Sequence, residues 1–190
     1  MITGVLLAAG GARRFGSQKL VARVGGTPIV RHAADALRTG VDELVVVVGS
    51  DAPLVREALA GLDARFVENA DWASGLSASL RAGTVAVHDE SDAAVIALGD
   101  QPGLDPSVVR RVVAAWRTSA KPIVTARYRG TRGHPVLLDR MVFAEAAALS
   151  GDVGARVLMD RDPTRVAYVD VDQAAPRDVD ELTDLEAFDR

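Results

Sequence analysis

The chain contains no cysteine, which removes disulfide staples, thiolate metal sites and thiol nucleophiles at once. Histidines number three, so a histidine metal site has little to draw on. Basic residues are in deficit: the net charge of −4 leaves no electrostatic footprint for nucleic acid or anionic lipid. Any surface that binds phosphate must then be built locally from a few placed cations. No apolar run approaches the roughly 20 residues that a membrane helix needs. The opening Met1–Leu7 segment lacks a basic n-region and is too short for a signal peptide, so the cytoplasm is the expected location, without nucleic-acid or membrane partners.

What remains is ample material for a core. A 190-residue chain with 48% hydrophobic and 25% charged residues suits one domain over residues 1–190. Short apolar runs read as strands at Thr3–Ala8, Glu43–Val48, Arg65–Val67, Ala93–Leu98, Ile123–Ala126 and Val166–Val169. Several are continuous rather than alternating, as expected for strands covered on both faces. Helical patterns fall between them. Thr27-Pro28 reads as an N-cap and first turn, with Gly40 closing that helix. Pro106–Thr118 places Val108, Val112, Ala115 and Trp116 on one face behind an Asp105 cap, and Arg177–Asp189 repeats the spacing with Val179, Leu182, Leu185 and Phe188. Trp116 and Phe188 read as core. The polar stretch Arg127–Gly133 reads as an exposed loop or hairpin. This alternation predicts a single doubly wound α/β domain with a mostly parallel sheet.

The loop after the first strand, Leu7-Ala8-Ala9-Gly10-Gly11-Ala12-Arg13-Arg14-Phe15-Gly16, stands where α/β proteins bind phosphate. It does not fit a dinucleotide fingerprint, because Gly10 and Gly11 are adjacent and Gly25-Gly26 and Pro28 follow too soon for a long helix. Gly11 and Gly16 have P-loop spacing, but Ser17 and Gln18 replace the required Lys and Ser/Thr. The loop instead brings Arg13, Arg14 and Lys19 within seven residues, a set suited either to a triphosphate or to a solvated basic turn.

Further along, Asp100 follows an apolar strand and precedes Gln101-Pro102, as a hard-cation ligand or as a turn cap. Asp170 and Asp172 end the last strand on one side of it, as metal ligands or as solvated turn acids. Asn69, Trp72, Gly75, Ser77 and Ser79 could contact a base or ribose, or form a helix entry. His134 has no partner at ligand spacing, while His32 and His88 read as structural. No nucleophile-elbow signature is present, so hydrolase chemistry has no support.

Taken together, Leu7-Ala8-Ala9-Gly10, Arg14, Gly16 and Lys19 resemble the signature of the MobA-like nucleotidyltransferases, Leu-Ala-[Ala/Gly]-Gly-x-x-x-Arg-Met-Gly-x-x-Lys. Four further segments follow in order: Asn69-x-x-Trp72-x-x-Gly75-Leu76, Gly99-Asp100-Gln101-Pro102, Gly133-His134-Pro135-Val136 and Gly151-Asp152-x-Gly154-Ala155-Arg156. These are similar to the molybdenum cofactor cytidylyltransferase branch.

The resemblance implies a Rossmann-like, GT-A type nucleotidyltransferase domain that moves a nucleoside monophosphate to a phosphorylated acceptor such as molybdopterin. It implies nucleotide contacts from Leu7, Ala8, Ala9, Gly10, Gly11, Arg14, Lys19, Asn69, Gly75 and Ser79. Arg14, Lys19 and Asp100 would be catalytic, and Mg²⁺ would sit on Asp100 with Asp172 as second ligand. Ala9 and the Gly-His-Pro-Val segment favour CTP over GTP, and a molybdoenzyme stands as a candidate partner. Phe15 departs from the usual Met, and Gly11-Ala12 lacks the hydroxyl residues often found there. Two extra residues between Asp172 and Pro176 leave the choice between Asp170 and Asp172 open. Two other classes stay in view: an NAD(P)H-dependent oxidoreductase of the nicotine-blue type, and a non-catalytic cofactor-insertion chaperone.

Overall fold

The computed structural model describes residues 1–11, 19–179, 182–185 and 188, with 182 and 183 described in backbone only. Nine strands and seven helices are assigned among them. The strands are β1 (Ile2–Ala8), β2 (Arg23–Val24), β3 (Thr27–Pro28), β4 (Glu43–Val48), β5 (Arg65–Glu68), β6 (Ala93–Leu98), β7 (Ile123–Tyr128), β8 (Thr131–Asp139) and β9 (Val166–Val171). The helices are α1 (Ile29–Leu37), α2 (Ala52–Ala58), α3 (Leu76–Val85), α4 (Pro106–Ser119), α5 (Phe143–Ala147), α6 (Arg156–Arg161) and α7 (Leu182–Leu185).

Seven strands form one sheet in the order β5-β4-β1-β6-β8-β7-β9, parallel except for β8. The expected doubly wound, mostly parallel α/β architecture is what the chain adopts. Its centre is dry on both faces. In β1, Ile2, Leu6 and Ala8 point into one layer with α1 and α4, while Val5 and Leu7 point into the other with α3 and α5. A strand buried on both sides cannot alternate with polar residues, which is why β1 and β4 read as continuous runs. Each large side chain removed from water here contributes about 1.5–3 kcal/mol before entropy is counted.

Helix α4 follows its sequence pattern closely. Asp105 accepts a hydrogen bond from Ser107 N–H at 2.7 Å, Pro106 occupies the first turn, and Val108, Val109, Val112 and Val113 are buried. Trp116 is partly buried and donates its indole N–H to Asp139 at 3.0 Å.

Elsewhere tertiary pairing overrides local signals. Thr27-Pro28 is not the helix entry but strand β3, paired with Arg23-Val24, and α1 begins at Ile29. Gly40 closes a short 3₁₀ turn, Arg38–Gly40, after α1 ends at Leu37; a Cβ there would sit 2.8 Å from Val109 Cγ1. Its smallness therefore serves close approach to α4, not a left-handed cap. Arg127–Gly133 spans a hairpin between β7 and β8, turning at Arg129 and Gly130, both at positive φ (46° and 90°). In Arg177–Asp189 the described residues hold a helix only at Leu182–Leu185, and 177–179 are not helical. Among the described residues no helix is long and apolar enough to cross a membrane.

Candidate functional site

The chain leaves β1 toward β4 on one side and later returns with β6 on the other. Such a switch of direction opens a crevice at the carboxyl ends of the two strands. A cavity of about 470 Å³ lies there. Its floor is Leu7–Gly11, its near wall is Lys19 and Leu20 with Leu98 and Asp100, and its far wall is Trp72–Leu76 with Ser79 and Asp152.

The floor is shaped by glycines on its neighbours. A side chain at Gly49, after β4, would collide with the Ala9 carbonyl oxygen, and one at Gly99 would come within 3.2 Å of Ala8 Cβ. Gly99 N–H also donates to the Leu7 carbonyl at 2.9 Å. Gly11 packs under the Trp72 ring, where a Cβ would approach within 2.9 Å, whereas Gly10 faces open space. Leu7, Ala8, Ala9, Gly10 and Gly11 thus all reach the cavity. Arg13, Arg14 and Gly16, which the sequence reading counted in the same loop, lie outside the described residues.

Lys19 and Asp100 meet across the near wall. Lys19 Nζ donates to Asp100 Oδ2 at 2.8 Å, and the two side chains are only 16% and 22% exposed. Residues 81 positions apart are brought together because β6 ends beside β1 and the Lys19–Val21 turn hangs over that end.

The far wall is a junction of two loops. Gly75, at φ 107°, lies so close to Gly151 that a Cβ would sit 2.7 Å from its carbonyl carbon. Ser77 Oγ donates to the Gly151 carbonyl at 2.7 Å, and Asp152 Oδ1 accepts from Leu76 N–H at 3.2 Å. Gly75 and Ser79, two of the candidate nucleotide contacts, line the cavity. Asn69 does not: it is buried, donates from Nδ2 to Ser79 Oγ at 3.1 Å, and accepts from Asp71 N–H at 3.0 Å. It orients Ser79 from behind.

The structure does not bring Asp172 to Asp100. Strand β9 lies three places from β6, about 14 Å at ordinary strand spacing. Asp172 is wholly exposed and faces Arg129 Nε at 3.4 Å. Asp170 is bound at both oxygens by Arg127, at 2.6 and 2.8 Å, and this bond holds its carboxyl below the usual range. Both acids belong to the β7–β9 edge, and among the described residues no group of three His, Cys, Asp or Glu side chains is poised around an ion.

His134, on β8, is held by its backbone: Tyr128 Oη donates to its carbonyl at 2.7 Å. Burial pushes the Tyr128 phenol up to about 12 and the His134 imidazole down to about 4, the latter against a smaller upward pull from Asp100. The histidine stays neutral at ordinary pH. Two residues at the site escaped the sequence reading of candidates. Asp152 stood inside a recognised segment but without a role, and Asp178, which accepts from Gln101 Nε2 at 2.7 Å, stood in a stretch read as helix.

These features define an α/β domain with a glycine-framed floor, a lysine and a carboxylate at its switch-point crevice. The chain belongs to the MobA-like NTP transferase domain family, which it matches over residues 4–166. It is 36% identical to nicotine blue oxidoreductase of Paenarthrobacter nicotinovorans, over 97% of this chain and 94% of that protein. It is 30% identical to a probable molybdenum cofactor guanylyltransferase of Thermococcus gammatolerans, over 66% of this chain and 62% of that one. Among solved structures, Rv0371c from Mycobacterium tuberculosis H37Rv superposes with a TM-score of 0.88 at 34% identity, covering 99% of this chain and 97% of that chain. The same protein in complex with manganese gives 0.82 at 33%, covering 98% and 97%.

Proposed function

We propose that this protein transfers a nucleoside monophosphate, CMP from CTP in preference to GMP from GTP, to a phosphorylated small-molecule acceptor of the molybdopterin type, releasing pyrophosphate. The observation that carries this reading is the meeting of the Leu7–Gly11 floor, Lys19 and Asp100 in one crevice. Family membership supports nucleotidyl chemistry, and the preference for cytidine rests on Ala9 and Gly133-His134-Pro135-Val136.

In this reading, the loop N–H groups cradle the phosphates, and Lys19 with Arg14 offsets charge that grows on the leaving pyrophosphate. Asp100 is a hard oxygen donor, and one such carboxylate can serve Mg²⁺, which takes one or two carboxylates and completes its shell with water and substrate phosphates. Bound there, the ion would supply Lewis-acid charge to the phosphate oxygens. Gly75 and Ser79 face the nucleoside, with Asn69 fixing the hydroxyl of Ser79. Transfer of this kind needs alignment more than a protein nucleophile. The manganese complex of the Rv0371c structure supports a divalent ion as part of the chemistry.

The test is a panel of CTP, GTP, ATP and UTP with Mg²⁺ and molybdopterin-type acceptors, following pyrophosphate. CTP-dependent release is expected; no release with any triphosphate refutes the proposal. A second reading, pyridine-nucleotide oxidoreduction, is favoured by the 36% identity to nicotine blue oxidoreductase. Loss of NAD(P)H absorbance with a pigment-like substrate, independent of Mg²⁺ and CTP, would establish it instead.

A further inference from the structure

Asp100 is held from behind as well as from the cavity. After β9, residues 172–179 return along the carboxyl edge of the sheet and end against the turn that carries Asp100. Val179 N–H donates to the Asp100 carbonyl at 3.1 Å, and Gln101 Nε2 donates to Asp178 Oδ1 at 2.7 Å. Val179 is fully buried against Val24 and Ile29, with Ala22 packed on the same cluster. Ala22 N–H in turn closes on the Lys19 carbonyl at 3.1 Å. One short segment therefore supports both elements that make the Lys19–Asp100 pair.

Gln101 is buried, at 7% exposure, and the two ends of its amide are treated differently. Binding Nε2 to Asp178 fixes the amide plane, and Oε1 is then buried with no hydrogen-bond partner among the described residues. An apolar residue of similar shape would fill the space without leaving an acceptor orphaned. Such orphans in native folds call for an explanation beyond packing. Here the amide gives Asp178 a handle on the residue next to Asp100.

We propose that Asp178, acting through Gln101, is a positioning residue for Asp100, setting the orientation in which that carboxylate meets a metal-bound nucleotide. The inference rests on the nucleotidyl-transfer reading given above. Supporting groups around metal-binding side chains characteristically change metal affinity or activity by about 10- to 100-fold when removed.

The test compares wild type with Asp178→Ala, Gln101→Leu, the double variant and Asp178→Asn. Mn²⁺ binding in the presence of CTP is read by electron paramagnetic resonance, alongside kcat and KM for pyrophosphate release and a melting curve for each. Each single variant is expected to lose about 10-fold or more in Mn²⁺ affinity or kcat. The double variant should be no worse than the poorer single, because one linkage has been cut twice. Asp178→Asn keeps an acceptor oxygen for Gln101 and should recover most of the loss. Wild-type affinity and kcat in both singles, or losses that simply add and follow the melting temperature, overturn the positioning role. A wild-type chain that binds no triphosphate and releases no pyrophosphate overturns the functional reading itself, and this inference with it.

Discussion

The Lys19–Asp100 pair allows a quantitative forecast. At 2.8 Å the raw attraction is about 6 kcal/mol for an effective dielectric near 20 and about 1.5 kcal/mol in bulk water. Desolvation offsets most of that gain. With side chains 16% and 22% exposed, the pair lies between surface pairs, worth roughly 0–1 kcal/mol, and buried ones, whose rupture costs about 3–5 kcal/mol. Lys19→Met leaves the Asp100 charge partly buried against an apolar stem and should cost about 2 kcal/mol. At roughly 2–4 °C per kcal/mol for a domain of this size, the melting temperature should fall by about 4–8 °C. Asp100→Asn keeps an acceptor for Lys19 and should cost less. In a double-mutant cycle followed by urea and thermal unfolding, the two residues should couple by about 1–2 kcal/mol, with weak dependence on salt. Strictly additive single effects, or a coupling abolished by 0.5 M salt, would refute a sequestered pair.

Three other expectations follow from the geometry. Gly75→Ala forces a side chain onto φ 107° and against the Gly151 backbone, so it should cost about 3 kcal/mol and weaken triphosphate-induced thermal shifts; a neutral substitution contradicts the two-loop junction. The His134 pKa is about 4 in the fold and about 6.5 unfolded, so the unfolded state takes up the proton first as pH falls. Its contribution, at most about 3 kcal/mol, is complete above pH 6.5 and lost toward pH 4. His134→Gln should flatten the stability profile in that window, and an unchanged slope would count against burial as the cause. Asp172→Asn should leave Mn²⁺–CTP binding within about twofold, since β9 stands about 14 Å from β6; a tenfold loss would reinstate it as a ligand.

The sheet's centre was legible because dry strands leave continuous apolar runs, as Val45–Val48 and Ala94–Leu98 do. Strand β8 was hidden: its Thr131-Arg132-Gly133 opening lies in the polar stretch Arg127–Gly133, and only pairing with β7 makes it extended. The spacing of Val179, Leu182 and Leu185 fitted a helix, yet Val179 is claimed by Asp100 and the Val24–Ile29 cluster. At the site, Lys19 and Asp100 could be read because each follows a strand at the carboxyl edge. Whether Asp172 joins them depends on which strand ends are neighbours, a fact of topology that no local pattern contains. Asn69 reads as a candidate for base or ribose contact or for a helix entry, and only the fold shows it facing Ser79 instead of the cavity.

The crevice between β1 and β6 is proposed to perform metal-assisted nucleotidyl transfer through Asp100. Its most direct test is pyrophosphate release from CTP and a molybdopterin-type acceptor by wild type and by Asp100→Ala, with folding of both checked by their melting curves. Wild type is expected to release pyrophosphate, and a folded Asp100→Ala protein to lose about 100-fold or more in kcat. Near-wild-type turnover by that variant would contradict it.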